Sequence, residues 1–304
     1  MDLRIEKICK SFGEKQVLKD ISFTVTSGEA FGYLGRNGAG KTTSIRILAD
    51  IFRADSGEIF LDNKPIDRKK FRLGYLPEER GLYPKSNVGE QMIYIAELRG
   101  MKRSNAKESA KKLLKKLDAL DFWDRKLETL SKGNQQKIQL AIAVLHDPEV
   151  VILDEPFSGL DPVNAGMLRS LVSEQVEMGK LVMFSSHEMS YVEQFCEHVC
   201  IINQGEVVLD GRIKDIKRSY PRNVIEIIPD ANPAEFLSNV SKNTEWSALV
   251  TSAKVTNNEI TATLQDASDK GKLMQLLSVQ PTGIDSVKVV EPTLEEIFVE
   301  KAGN

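Results

Sequence analysis

Residues 35–42, Gly35-Arg36-Asn37-Gly38-Ala39-Gly40-Lys41-Thr42, leave the chain around them little choice of fold. The run Ala30 to Leu34 before them is short and apolar, as a buried strand is. Thr42 to Ile51 after them carries Ile45, Leu48 and Ala49 at helical spacing. The order is therefore strand, glycine loop, helix, which is the context that turns such a loop into a phosphate seat. Glycines let successive backbone N–H groups turn inward toward phosphate oxygens, and the N-terminus of the following helix adds a favourable dipole. Lys41 is placed to neutralise the β- and γ-phosphates, and Thr42, followed by Thr43, offers a hydroxyl to Mg²⁺. An unliganded glycine-rich turn would need neither the lysine nor these flanks, so residues 35–43 predict a seat for a nucleoside triphosphate.

Apolar strands ending in chemistry recur downstream. Val150-Val151-Ile152-Leu153 runs into Asp154 and Glu155. At that position Asp154 can reach a Mg²⁺ shell, and Glu155 can polarise a water for in-line attack on the γ-phosphate. Two acids also end a strand whose tip simply meets solvent; the upstream phosphate loop favours the chemical reading. Leu181 to Ser186 leads to His187, one of three histidines in the chain. The carboxyl end of a strand in an α/β sheet is where ligands bind, although taken singly a capping or packing histidine explains His187 equally well. Leu130-Ser131-Lys132-Gly133-Asn134-Gln135-Gln136 precedes a helix with Ile138, Leu140, Ala141 and Val144. Ser131 reads as an N-cap and Gly133 allows close backbone approach, so this helix start can receive a phosphate, as an ordinary capped helix would also look.

From about Val88 to Leu145 the pattern is helical, which makes a helical block of residues 85–145 inserted into an α/β core. Within it Lys111, Lys112, Lys115 and Lys116 alternate with Leu113, Leu114, Leu117 and Leu120, the solvated face of an amphipathic helix. Beyond Gly211 the texture shifts. A charged connector, Lys214 to Arg222, precedes strand-like pieces at Val224–Ile228, Leu249–Val255, Ile260–Leu264 and Val287–Val290, with Asn257-Asn258 as a hairpin turn. Helical pieces fall at Pro233–Val240, Asp269–Leu277 and Thr293–Lys301. The order strand, helix, strand, strand, helix, strand is that of a small ferredoxin-like α+β unit. The expectation is two domains, residues 1–215 and 216–304.

At 41% hydrophobic and 28% charged residues, with a net charge of −3, the chain has the balance of a globular protein and no global field for nucleic acid or anionic lipid. No apolar run approaches the roughly 20 residues of a spanning helix, and MDLRIEKICKSF lacks the apolar core of a signal peptide. A cytosolic chain is expected. Cys9, Cys196 and Cys200 are odd in number with no disulfide-like spacing, which suits a reducing compartment. Cys196, His198 and Cys200 lack a fourth ligand at finger-like spacing, so buried small hydrophobes explain them better than a metal site.

The phosphate loop, LSKGNQQ, VVILDEP, Ser158-Gly159-Leu160-Asp161 and His187 stand in the order found in the nucleotide-binding subunits of ABC transporters, which residues 1–215 resemble. The resemblance implies a P-loop ATPase core of ABC type with an inserted helical subdomain. It implies ATP as the nucleotide, Mg²⁺ as its cation, and a head-to-tail dimer, of like or unlike subunits. In that dimer ATP lies between the phosphate loop of one protomer and Ser131, Gly133 and Asn134 of the other. It further implies that Phe12 stacks on adenine, Glu155 is the catalytic carboxylate, Asp161 communicates across the dimer and His187 senses the γ-phosphate. Gly74-Tyr75-Leu76-Pro77-Glu78-Glu79-Arg80-Gly81-Leu82-Tyr83-Pro84 and the terminal Pro292-Thr293-Leu294-Glu295-Glu296-Ile297-Phe298 resemble the ABC-2-type exporter ATPases, the sodium- and drug-efflux branch. Their membrane subunits are separate chains, so an integral membrane permease is the implied partner, with this chain held peripherally on the cytoplasmic face of the membrane.

Two residues depart from the family's usual pattern. Glu78 stands where glutamine is usual, in the loop that feels both Mg²⁺ and the membrane subunit, and Lys132 where glycine is usual. An extra carboxylate near the γ-phosphate is unfavourable and an extra ammonium favourable, so across the dimer the two are expected to compensate in part; the alternative is that Lys132 points into solvent and Glu78 merely binds Mg²⁺ through water. The rival reading is a soluble cassette ATPase acting on ribosomes or DNA. Such translation factors generally carry two cassettes in a chain, and DNA-repair relatives carry coiled coils or zinc modules. A GTPase or small-molecule kinase is a third reading, but no Asn-Lys-x-Asp guanine-reading segment occurs, and neither class requires the LSKGNQQ helix start.

Overall fold

The computed structural model describes residues 1–67, 71–79, 81–158 and 160–302. Arg80 and Gly159, each part of a motif quoted above, lie outside the described residues. The chain divides into two compact units, one of Met1–Ile213 joined by the chain from Phe298 onward, the other Lys214–Ile297.

The first unit is built around a six-stranded sheet. Leu73–Leu76, Val150–Asp154, Leu181–Ser186, Ala30–Leu34 and His198–Asn203 lie side by side in parallel, and Glu206–Arg212 adds an antiparallel edge. Every residue of the three strands Ala30–Leu34, Val150–Asp154 and Leu181–Ser186 is buried. Both faces of these strands are covered, and this is why they read as continuous apolar runs rather than alternating ones. A second, antiparallel sheet orders Lys15–Thr26, Asp2–Phe12, Ser56–Leu61 and Lys64–Pro65. Its alternating inner residues Leu3, Ile5, Leu18, Ile21 and Phe23 join Phe31, Tyr33, Ile45, Ile47 and Ile152 in one core. The helix Lys41–Leu48 contributes Ile45, Ile47 and Leu48 to it. The phosphate loop is thereby anchored at both ends in packed structure.

Helices Val88–Leu98, Arg103–Lys116 and Lys132–Val144 form the inserted block. In the middle one Ala106, Ala110 and Leu114 are buried while Lys111, Lys112, Lys115 and Lys116 are exposed, the amphipathic division expected from spacing. Cys196 and Cys200 are buried and free, and among the described residues no group of three His, Cys, Asp or Glu side chains could hold a metal ion. No described helix is long and apolar enough to cross a membrane.

The second unit is an antiparallel sheet ordered Val250–Thr256, Glu259–Leu264, Val224–Pro229, Ile284–Val290. This order, with helices Pro233–Val240 and Lys270–Ser278 in the two crossovers, is the interleaved βαββαβ arrangement. Ile225, Ile227, Ile260, Ala262 and Leu264 turn one face inward onto Phe236, Val240, Leu273 and Leu276. Asn257 and Asn258 both take positive φ, 50° and 67°, as a two-residue hairpin turn requires. A helix at Thr244–Leu249, capped by Asn243, lies just before a strand that sequence reading starts at Leu249.

Candidate nucleotide site

The phosphate loop borders a cavity of ≈ 440 Å³ whose lining includes Asn37, Gly38, Gly40, Lys41, Thr42 and Thr43, together with Glu78 and Glu155. Two glycines are required by the backbone. Gly40 has φ 110°, and a Cβ there would stand 2.7 Å from a Leu18 methyl; a Cβ on Gly35 would meet the Ile202 carbonyl at 2.5 Å. Beneath the loop, the Tyr33 hydroxyl donates to Ser44 Oγ at 3.0 Å, and Ser44 Oγ donates to the Gly40 carbonyl at 3.1 Å. This support from inside the core has no signal in the motif itself.

Lys41 is 6% exposed. Its ammonium donates to the loop's own Gly35 carbonyl at 2.6 Å and stands 3.8 Å from Glu155 Oε1. Burial lowers its pKa, while the charges of Glu155, Asp154 and Glu78 oppose that fall.

Asp154 and Glu155 are buried at the end of their strand. Ser185, on the neighbouring parallel strand, donates its hydroxyl to Asp154 Oδ1. The Glu155 backbone N–H donates to the Ser185 hydroxyl and carbonyl, both at 3.2 Å. Glu155 takes φ 51°, the left-handed region a non-glycine residue rarely adopts, and such local strain is concentrated at functional positions. Its Oε1 lies 2.9 Å from His187 Nδ1. Burial raises the pKa of Glu155, with the His187 hydrogen bond opposing; burial likewise raises that of Asp154, with the Ser185 hydrogen bond opposing and the Glu78 charge adding.

Asp154 Oδ2 is buried with no hydrogen-bond partner among the described residues. This orphaned carboxylate oxygen, together with the Thr42 hydroxyl and the Glu78 carboxylate, which interact with Asp154 and line the cavity, makes a hard oxygen donor set of the kind Mg²⁺ takes. The residues present fit that ion.

Lys41, Thr42, Asp154, Glu155, His187 and Glu78 are thus brought together, while other expected site residues stand apart. Phe12 ends its strand 47% exposed, edge-on to Phe52 at 5.7 Å, and Lys15 and Val17 of the next strand line the phosphate cavity instead. Ser131 caps the helix Lys132–Val144 by accepting from the Asn134 N–H at 3.4 Å. Neither it nor Gly133 nor Asn134 is part of the phosphate cavity wall. Asp161 caps the helix Pro162–Glu177, accepting from the Val163 and Asn164 N–H groups at 3.1 and 3.0 Å. The hydrogen-bonding role of Ser185 escaped sequence reading, although two serines closing an apolar strand were its one signal.

A family model described as ABC transporter matches residues 18–158, and one described as ATP-binding protein DrrA1-3-like, C-terminal domain, matches residues 211–302. The uncharacterized ABC transporter ATP-binding protein YhaQ of Bacillus subtilis (strain 168) is 38% identical over 99% of this chain and 98% of its own length. The linearmycin resistance ATP-binding protein LnrL of the same organism is 30% identical over 99% of this chain and 98% of its own. Among solved structures, an ATP binding subunit of an ABC transporter superposes with a TM-score of 0.66 at 28% identity, over 72% of this chain and 93% of that one.

Proposed function

Because the chain belongs to the ABC transporter ATP-binding proteins, which bind and hydrolyse ATP, we propose that it is the motor subunit of an exporter. In this reading residues 1–215 are the ATPase and 216–304 an accessory domain. ATP-driven closure of two such subunits, alike or different, moves a separate membrane permease, with the chain held at the cytoplasmic face.

The observation that carries the catalytic part is the convergence of Lys41 and His187 on the Glu155 carboxylate, at 3.8 and 2.9 Å, where Glu155 and Lys41 line the phosphate cavity. The backbone of Gly35 to Gly40 and Lys41 receive the triphosphate, with Asn37, Ala39 and Thr43 in the same seat. Glu155 takes the proton of the attacking water, and His187 holds the Glu155 carboxylate in place and reads the γ-phosphate. Thr42 and Asp154, with Glu78 beside them, would hold Mg²⁺, which when bound would offset charge on the β- and γ-phosphates. Phe12 meets the adenine ring. Ser131, Gly133 and Asn134 serve the nucleotide of the opposite protomer, a role supported by their standing outside this chain's own phosphate cavity. Asp161 works across the same interface.

Export is supported by the likeness to a linearmycin resistance protein over nearly the full chain and by the match of residues 211–302. The test is purification of the chain from membranes with its partners. Recovery of an integral membrane protein is expected; co-sedimentation with ribosomes or DNA instead would favour the soluble reading.

A further inference from the structure

Arg36 is the one strongly basic side chain of the phosphate loop besides Lys41, and its guanidinium lies over the ring of Phe298 at 5.5 Å from the centroid. Phe298 is 2% exposed, whereas Arg36 is exposed and lines the nucleotide cavity. The chain from Phe298 onward clusters with the first unit rather than with the residues just before it. The Arg36 backbone is equally constrained: its carbonyl accepts from the Ala39 N–H at 3.1 Å and from Lys41 Nζ at 3.5 Å.

From this geometry we infer that Phe298 is a positioning residue for ATP binding, its ring holding the Arg36 guanidinium at the mouth of the phosphate seat. A buried ring beneath a long, flexible cation removes most of the rotamers that cation would otherwise sample. The ordering is then in place before the nucleotide arrives, which strengthens binding without altering the chemical step. A fixed guanidinium also keeps positive charge at a cavity that otherwise sets Lys15 and Lys41 against Glu78 and Glu155. This inference rests on residues 35–43 being the triphosphate seat.

The test is ATP affinity by calorimetry, with KM and kcat, on the full-length protein and its variants. Phe298→Leu is expected to weaken ATP binding and raise KM by about threefold to tenfold, the range of one cation–π contact, with kcat little changed. Phe298→Tyr, which keeps the ring face, restores most of the loss. Arg36→Gln, a change at an exposed side chain that leaves the core intact, weakens binding similarly, and Phe298→Leu adds nothing on that background. Full additivity of the two changes, or unchanged affinity in Arg36→Gln, overturns the inference. Failure of the unaltered protein to bind ATP would overturn the seat itself.

Discussion

His187 Nδ1 stands 2.9 Å from Glu155 Oε1, so the exposed imidazole at one strand end holds the buried carboxylate at the end of the next. The carboxylate has little freedom left: its backbone is pinned to Ser185 and its other close charge is Lys41. A base held this way needs no reorganisation when water is presented to it. Glu155→Gln is expected to bind ATP, to lose turnover by about a hundredfold or more, and to accumulate as a dimer in ATP. Turnover at the normal rate, followed by phosphate release, would remove Glu155 from the role of base.

The same burial predicts a dependence of stability on pH. Because the folded protein raises the Glu155 pKa above 4.5, it binds the proton more tightly than the unfolded chain does. Its contribution therefore becomes unfavourable as pH rises from 4.5 through the raised value. Glu155→Gln removes that cost, so the nucleotide-free variant should melt above the parent at pH 7.5, with the difference vanishing by about pH 4.5. Calorimetric melting at both pH values checks this; an equal gain at the two, or a loss at pH 7.5, contradicts it.

Gly40 and Gly38 separate two kinds of glycine requirement. Both have positive φ, but a Cβ on Gly40 collides with Leu18 whereas one on Gly38 meets nothing within 4 Å. Gly40→Ala should cost about 2–4 kcal/mol, from backbone strain and displacement of Leu18 together, and Gly38→Ala about 1 kcal/mol. Urea unfolding followed on the ATPase unit distinguishes them, and equal costs would refute the steric account.

Glu78 adds a carboxylate to a cavity already holding Glu155, and its charge adds to the rise that burial imposes on the Asp154 pKa. If Lys132 of the opposite protomer offsets it, Glu78→Gln and Lys132→Gly should each change ATPase activity, while the double variant returns toward the parent. Additive effects in the double-mutant cycle would end the idea of compensation.

Much of this was legible in the sequence because the central strands are buried on both faces and flanked by glycine or acidic residues, signals that are local. The strand Leu73–Leu76 was not read as one, being four residues long and interrupted by Gly74, whose place is set by the Ala143 carbonyl: a Cβ there would stand 2.2 Å from it. The helix Thr244–Leu249 is too short to show a period. The antiparallel sheet of the first unit shows in the sequence only as alternation from Leu3 to Ile8 and apolar residues across Val17 to Val25, since the third strand, Ser56–Leu61, lies beyond the phosphate-loop helix. Within the site, the motif residues announced themselves, but Tyr33, Ser44 and Ser185 did not, because a buried hydroxyl gains meaning only from what it touches. The meeting of Arg36 with Phe298, from opposite ends of the chain, has no local signal at all.

Ser131 capping a helix outside the phosphate cavity of its own chain has a genetic consequence. Under the proposed dimer, Lys41→Ala and a bulky Ser131 variant each abolish both sites of a homodimer. Mixed together they form some dimers in which one site carries both lesions and the other carries none. Two inactive preparations should therefore recover hydrolysis on mixing, and would not if each chain served its own nucleotide.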